Sequence, residues 1–152
     1  MGEGRIKVAV GSDDNYSIAN FVVNYLKSKG YEVILAGSLR TGKPEPWPDV
    51  GLEVGNLVSS GAAKYGIVIC YTGTGVSIAA NKVKGIRAAL CVDARTAQGA
   101  RLWNDANVLA LSARLLSEEL AKEIIDAWFS IQEPDRSELA NIAKINELEA
   151  IR

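Results

Sequence analysis

The feature that most constrains this chain is an alternation: a short run rich in β-branched residues is followed by a longer amphipathic stretch, five times over. Residues 6–11 form the first run and 17–29 the first helical stretch; 31–36 and 49–60 repeat the unit. The segment between them, 37–48, carries Gly42, Pro44, Pro46 and Pro48. It reads as a loop, because proline continues neither a helix nor a sheet ladder. Tyr65–Cys70 is apolar throughout, the pattern of a strand buried on both faces. A helix over 77–82, a strand over 86–91, a helix over Ala94–Asn104 and a strand over 108–111 complete the alternation. Ser117 ahead of Glu118 and Glu119 marks a helix start leading to Phe129, and Pro134 separates it from a last helix over 137–150. Strands alternating with helices imply a parallel sheet covered on both sides. The expected fold is therefore α/β, a three-layer αβα sandwich with a Rossmann-like five-stranded parallel sheet and an extra C-terminal helix. One domain over 1–152 accommodates it, with 134–152 the C-terminal helix at a dimer interface.

Composition narrows the function classes. Lys and Arg number 17 against 18 Asp and Glu, so no global field draws the chain to nucleic acid or anionic lipid. No apolar stretch approaches the ~20 residues of a membrane span, and the N-terminal run is too brief for a signal peptide, so a soluble cytoplasmic protein is expected. Two cysteines, Cys70 and Cys91, both end strand-like runs and read as reduced thiols rather than a secreted disulfide framework. The chain has no histidine. That removes the commonest general acid/base and the commonest transition-metal ligand together, so no cofactor and no metal are expected.

In an open parallel sheet the ligand lies beyond the carboxyl ends of the strands, where the strand order reverses. Three loops sit there: 11–16, 70–77 and 93–95. In the second, Cys70-Tyr71-Thr72-Gly73-Thr74-Gly75-Val76-Ser77 sets a thiol at a strand end, then two glycines that let backbone approach a ligand, then a helix start. Exposed N–H groups facing the thiol favour its thiolate, which suits a base that lifts a proton from carbon. A cysteine ending a buried strand is also an ordinary core residue, and the pattern alone leaves both readings open. It is not a dinucleotide fingerprint, since Gly-x-Gly-x-x-Gly is absent, and Lys82 lacks the glycine spacing of a P-loop.

Three further blocks, Gly75-Val76-Ser77-Ile78-Ala79-Ala80-Asn81-Lys82, Gly85-Ile86-Arg87-Ala88-Ala89-Leu90-Cys91 and Asn104-Asp105-Ala106-Asn107-Val108-Leu109-Ala110, join Gly11-Ser12-Asp13 at correct spacing. Together they resemble the ribose-5-phosphate isomerase type B and galactose-6-phosphate isomerase family over residues 5–130. The resemblance implies a metal-independent aldose–ketose isomerisation through a cis-enediolate. Cys70 matches the base, Gly73, Gly75 and Ser77 the oxyanion-binding turn, and Thr72 a proton shuttle between substrate oxygens. Asp13 matches an aspartate that hydrogen-bonds sugar hydroxyls, and Asn104 falls within the third block. It further implies a homodimer or tetramer with sites at the subunit interface, so that Asp14 or Arg136 serves the neighbour's pocket.

The chain departs from that pattern in several places. Asp14 stands where the family has histidine, and of a basic C-terminal run only Arg136 remains. Trp103 replaces the histidine implied in ring opening, Trp47 a frequent tyrosine, and Tyr71 a glycine. The pocket gains aromatic bulk suited to the C–H faces of a sugar. A carboxylate at position 14 disfavours a phosphate beside it. The expected substrate is thus a small sugar, sugar phosphate or sugar acid, with phosphorylation not required. The alternatives are a catalytically silent subunit of a hetero-oligomeric sugar-phosphate isomerase, or a sugar- or nucleotide-binding module.

Overall fold

The computed structural model describes residues 4–151; Met1–Glu3 and Arg152, the ends of the expected 1–152 domain and 134–152 helix, lie outside the described residues. Five strands, β1 (Lys7–Ser12), β2 (Glu32–Gly37), β3 (Tyr65–Cys70), β4 (Ala88–Leu90) and β5 (Val108–Ser112), form one parallel sheet in the order β2-β1-β3-β5-β4. The helices are α1 (Ser17–Ser28), α2 (Ser38–Thr41), α3 (Trp47–Ser59), α4 (Thr74–Ala80), α5 (Ala94–Asn104), α6 (Glu118–Phe129) and α7 (Leu139–Ile151). This is the expected αβα sandwich. No helix among the described residues is long and apolar enough to cross a membrane.

Alternate strand residues serve two cores. Val8, Val10, Ile67, Ile69, Leu109 and Leu111 pack under α1, α5 and α6. Ala9, Val68, Cys70, Val108 and Ala110 face α3 and α4. The second layer is built of small residues and is thin. A Cβ added at Gly66 would fall 2.5 Å from Val54, and one at Gly51 2.6 Å from Ala79, so α3 beds closely on both the sheet and α4.

Among the boundaries that differ from the sequence reading, four have a clear local reason. The 37–48 loop contains the single turn α2, entered through Gly37 at φ +60°. Helix α3 begins at Trp47 rather than residue 49, because Pro48 falls in its first turn, where no N–H is needed. Helix α4 begins at Thr74 rather than residue 77, launched by Gly73 in the left-handed region. Strand β4 is three residues long, not six: the Arg87 N–H is taken by Asn107 Oδ1 at 2.8 Å. On its outer side Asn81 brackets Ala88, accepting its N–H at 2.8 Å and donating to its carbonyl at 3.0 Å, which closes the sheet edge.

The amino edge of the sheet is locked by Arg101, which is 2% exposed. It donates to the Ala106 carbonyl at 2.7 Å, the Tyr65 hydroxyl at 3.1 Å and Asp105 at 3.3 Å, and its guanidinium lies over the Tyr65 and Trp128 rings. A charge this buried is tolerable only with such a set of acceptors.

Candidate active site

From β1 the chain winds outward to β2, and from β3 it winds to the other side, so the crevice opens between the carboxyl ends of β1 and β3. Ser12 pairs with Ile69, and the Asp13 N–H donates to the Ile69 carbonyl at 3.2 Å, which carries Asp13 alongside Cys70.

Cys70 is a free thiol, 6% exposed, on the α3/α4 side of the sheet. Its sulfur accepts the Gly73 N–H at 3.2 Å, a contact that strengthens when the sulfur carries charge. Gly73 has φ +81°, and a Cβ there would lie 2.9 Å from the Leu111 carbonyl, so only glycine turns the chain at this point. The Thr72 hydroxyl is 2.8 Å from that of Thr74 and accepts the Thr74 N–H at 3.4 Å, which fixes it on the exposed lip of the turn. Trp47, half exposed, lays its ring on the same turn: a Cβ at Gly75 would fall 2.9 Å from it. Ser77 is half-buried one turn into α4. Tyr71 is 60% exposed, while its carbonyl is held by the Ser112 hydroxyl at 3.1 Å and the Arg114 N–H at 3.0 Å.

Asp13 is the strained member of the group. Its Oδ1 is buried without a hydrogen-bond partner among the described residues, an arrangement costing about 1–3 kcal/mol. Burial, and secondarily the charge of Asp14, raise its carboxyl above the usual carboxylate range, against hydrogen bonding from Tyr16 and its own backbone. Tyr16, which the sequence reading passed over, lies near enough to this carboxylate for the two to bias each other's ionisation. Burial first, then Asp13, push the phenol's ionisation well up, with Cys70 a further neighbour. The signal was its position three residues after Asp13, inside the 11–16 loop. Asp14 is exposed and engaged: its Oδ1 accepts the Asn15 N–H at 2.7 Å, and its carbonyl the Ser12 and Ser38 hydroxyls at 2.8 and 2.9 Å.

Trp103, Asn104 and Arg136 stand elsewhere. Helix α5 starts beside the carboxyl end of β4 and runs back, so its last residues emerge at the amino edge, where Asn107 bonds to Arg87 and Gly66. A six-residue strand separates that edge from Cys70 by roughly 20 Å. The Trp103 ring folds back over Gly99, where a Cβ would be 2.8 Å away, and lies under the Arg95 guanidinium, 5.5 Å from the ring centre. Trp103 and Asn104 line a groove of about 530 Å³ between the 81–89 segment and α7. Arg136 is exposed in a 3-10 turn tethered to α5 by the Asp135 N–H, 2.7 Å from the Leu102 carbonyl.

A five-stranded parallel sheet with helices on both sides is the Rossmann-like architecture shared with solved ribose-5-phosphate isomerase B structures. The chain belongs to the Ribose/Galactose Isomerase family, whose model it matches over residues 8–145. It is 39% identical to the D-erythrulose-4-phosphate isomerase of Pectobacterium atrosepticum over 145 residues, 95% of either chain. It is 41% identical to ribose-5-phosphate isomerase B of Escherichia coli over 127 residues, 83% of this chain and 85% of the other. Among solved structures, ribose-5-phosphate isomerase B of Clostridium thermocellum superposes with a TM-score of 0.87 at 41% identity, covering 95% of this chain and 98% of the other. The family implied by the sequence blocks is thus the one to which the chain belongs.

Proposed function

We propose that the chain interconverts an aldose and a ketose of a small sugar phosphate through a cis-enediolate, with Cys70 as the base. The Cys70 thiolate takes the proton from the carbon beside the carbonyl. The electron pair moves into the new C–C double bond, and charge collects on the carbonyl oxygen over the Gly73–Ser77 turn. Return of the proton to the neighbouring carbon completes the exchange, with Thr72 passing the proton between the two oxygens. The observation that carries this reading is the Gly73 N–H held on the Cys70 sulfur at the switch point, beside an Asp13 oxygen that has no partner among the described residues. Phosphorylation of the substrate follows from the names of the relatives. The solvated, N–H-bonded Asp14 carboxylate weakens the repulsion expected of it.

The working unit of this proposal is a cytoplasmic homodimer. Trp103, Asn104 and Arg136 serve the site of a second copy, which α7 helps to join through its exposed Leu139, Ile145 and Leu148. What supports this is the sheet itself, which keeps those three residues away from the Cys70 of their own chain.

Proton NMR in D2O with four- and five-carbon sugar phosphates and their unphosphorylated counterparts tests the reading. Deuterium entering beside the carbonyl, and failing to enter with Cys70→Ala, is the expected result. Folded protein that exchanges no sugar proton would sink it.

A further inference from the structure

We propose that Trp47 is a positioning residue for the isomerase site: its indole holds the Gly73–Ser77 turn in the shape that receives charge from the substrate. The inference rests on the isomerase reading above and adds a residue to the same site. In that reading charge collects over a turn that carries glycine at 73 and 75. Glycine lets backbone come close to a ligand, yet it also leaves the chain freer than any other residue does. Stabilising a short-lived anion requires donors already in place, so a turn of this composition has to be held from outside.

Trp47 supplies that hold. A Cβ added at Gly75 would fall 2.9 Å from Trp47 Cδ2 and Cε3 and 3.3 Å from Cζ3, so the six-membered ring of the indole covers the Gly75 α-carbon. The contact heads a seam along which α3 and α4 lie in step: an added Cβ would fall 2.6 Å from Ala79 at Gly51 and 2.8 Å from Val83 at Gly55. The base of Trp47 is fixed as well. Pro46 and Pro48 flank it, and the Glu45 N–H donates to the Asp13 carbonyl at 2.9 Å. The segment that carries the indole is thus tied to the loop after β1, while the ring rests on the turn after β3, the other side of the crevice. With 45% of its surface exposed, against 0% for Trp128, Trp47 is not a core residue.

Holding the turn differs from stacking on the sugar. A ring that packed on the substrate would favour ground state and transition state alike, and its loss would raise KM. A ring that shapes the turn acts where charge develops, and its loss lowers kcat. Gly75 offers a second handle. It lies within α4, where the backbone accepts alanine without strain, and what a Cβ there would meet first is the indole.

Steady-state kinetics with erythrose 4-phosphate and ribose 5-phosphate, on whichever the wild-type protein isomerises, test the role. Trp47→Ala is expected to lower kcat at least tenfold with KM within threefold of wild type. Trp47→Phe, which keeps a ring over Gly75, should hold kcat within threefold. Gly75→Ala should cost at least tenfold in kcat in the wild-type background, where its Cβ displaces the indole. In Trp47→Ala the space is free, and the same change should cost less than threefold further. A raised KM with kcat intact in Trp47→Ala would make the ring a sugar contact and overturn the proposal. A second full loss on adding Gly75→Ala would mean that the glycine clears room for substrate rather than for the indole, and overturns it too. Should Trp47→Ala fail to fold by circular dichroism, the other two single variants decide: kcat unchanged in folded Gly75→Ala, or lost in folded Trp47→Phe, defeats the inference. These outcomes leave the isomerase reading standing. Wild-type protein that isomerises neither probe defeats the reading beneath it.

Discussion

Cys70 ends β3 and Cys91 follows β4, both free and both nearly inaccessible at 6% and 1% exposure, yet their sulfurs make opposite kinds of contact. The Cys70 sulfur is an acceptor, holding the Gly73 N–H at 3.2 Å. The Cys91 sulfur is a donor, directed at the Ala89 carbonyl at 3.7 Å in the apolar layer under α1, α5 and α6. Burial pushes the Cys91 thiol up to about 12, with Asp93 adding to it. Burial alone therefore does not mark a structural cysteine. What separates the two is the turn that follows: after β3 it folds a backbone donor onto the sulfur, while after β4 the chain enters α5 through Asp93, whose side chain caps Thr96 instead.

The comparison breaks most directly by exchange of roles. Cys70→Ala is expected to lower kcat/KM by about 10²–10⁴, the usual worth of a positioned acid or base, while Cys91→Ala stays within about threefold. Similar losses in the two variants would remove the distinction. Gly73→Ala comes next. It forces a Cβ against the Leu111 carbonyl in a left-handed turn, displacing the donor from sulfur. A loss of about 10²–10³ in kcat is expected, with about 1–3 kcal/mol of stability by denaturant titration; lost stability with kcat intact would uncouple the turn from catalysis. A smaller effect separates the thiols by reactivity. Iodoacetamide followed by peptide mass spectrometry should label Cys70 in the native protein at least tenfold faster than Cys91, with sugar phosphate protecting Cys70. Equal rates would mean that the crevice above β3 is closed to reagents.

Much of the fold was legible because its signals are local. The Tyr65–Cys70 run is apolar at every position and lies in the middle of the sheet, buried at every residue. Ser77 falls in the helix expected of it, while Gly75, read as part of the turn, stands in the first turn of α4. Other features depend on contacts between distant segments. Nothing in 86–91 says that Asn81 and Asn107 will claim its backbone and leave β4 three residues long. Nothing near Val108 says that β5 inserts between β3 and β4. The site residues divide the same way. Cys70, Gly73 and Gly75 were readable as one segment and the 11–16 loop through the switch-point rule, while Asp13 and Thr72 were picked out by resemblance. Trp103, Asn104 and Arg136 were grouped with them by resemblance, while the direction of α5 sets them at the far edge of their own chain. Tyr16 was missed because an aromatic before a helix reads as packing, and only the folded 11–16 loop sets it near the Asp13 carboxylate.

The narrowest prediction concerns the quieter cysteine. In the unfolded chain a thiol titrates near 9, whereas in the folded protein Cys91 titrates at about 12. Between those values the native state holds a proton that the unfolded state has lost. The stability contributed by this group is therefore complete below about pH 9 and falls as pH rises toward 12, by at most about 1.4 kcal/mol per pH unit. Tyrosines such as the partly buried Tyr25, also pushed up to about 12, titrate in the same sense, so the decline in wild type is a sum. The informative quantity is a difference. Cys91→Ala loses packing at every pH, but its unfolding free energy from urea titration should decline less steeply between pH 9 and 11 than that of wild type. Parallel declines would mean that water reaches the Cys91 sulfur in the native protein, and the contrast with Cys70 would then rest on the Gly73 hydrogen bond alone.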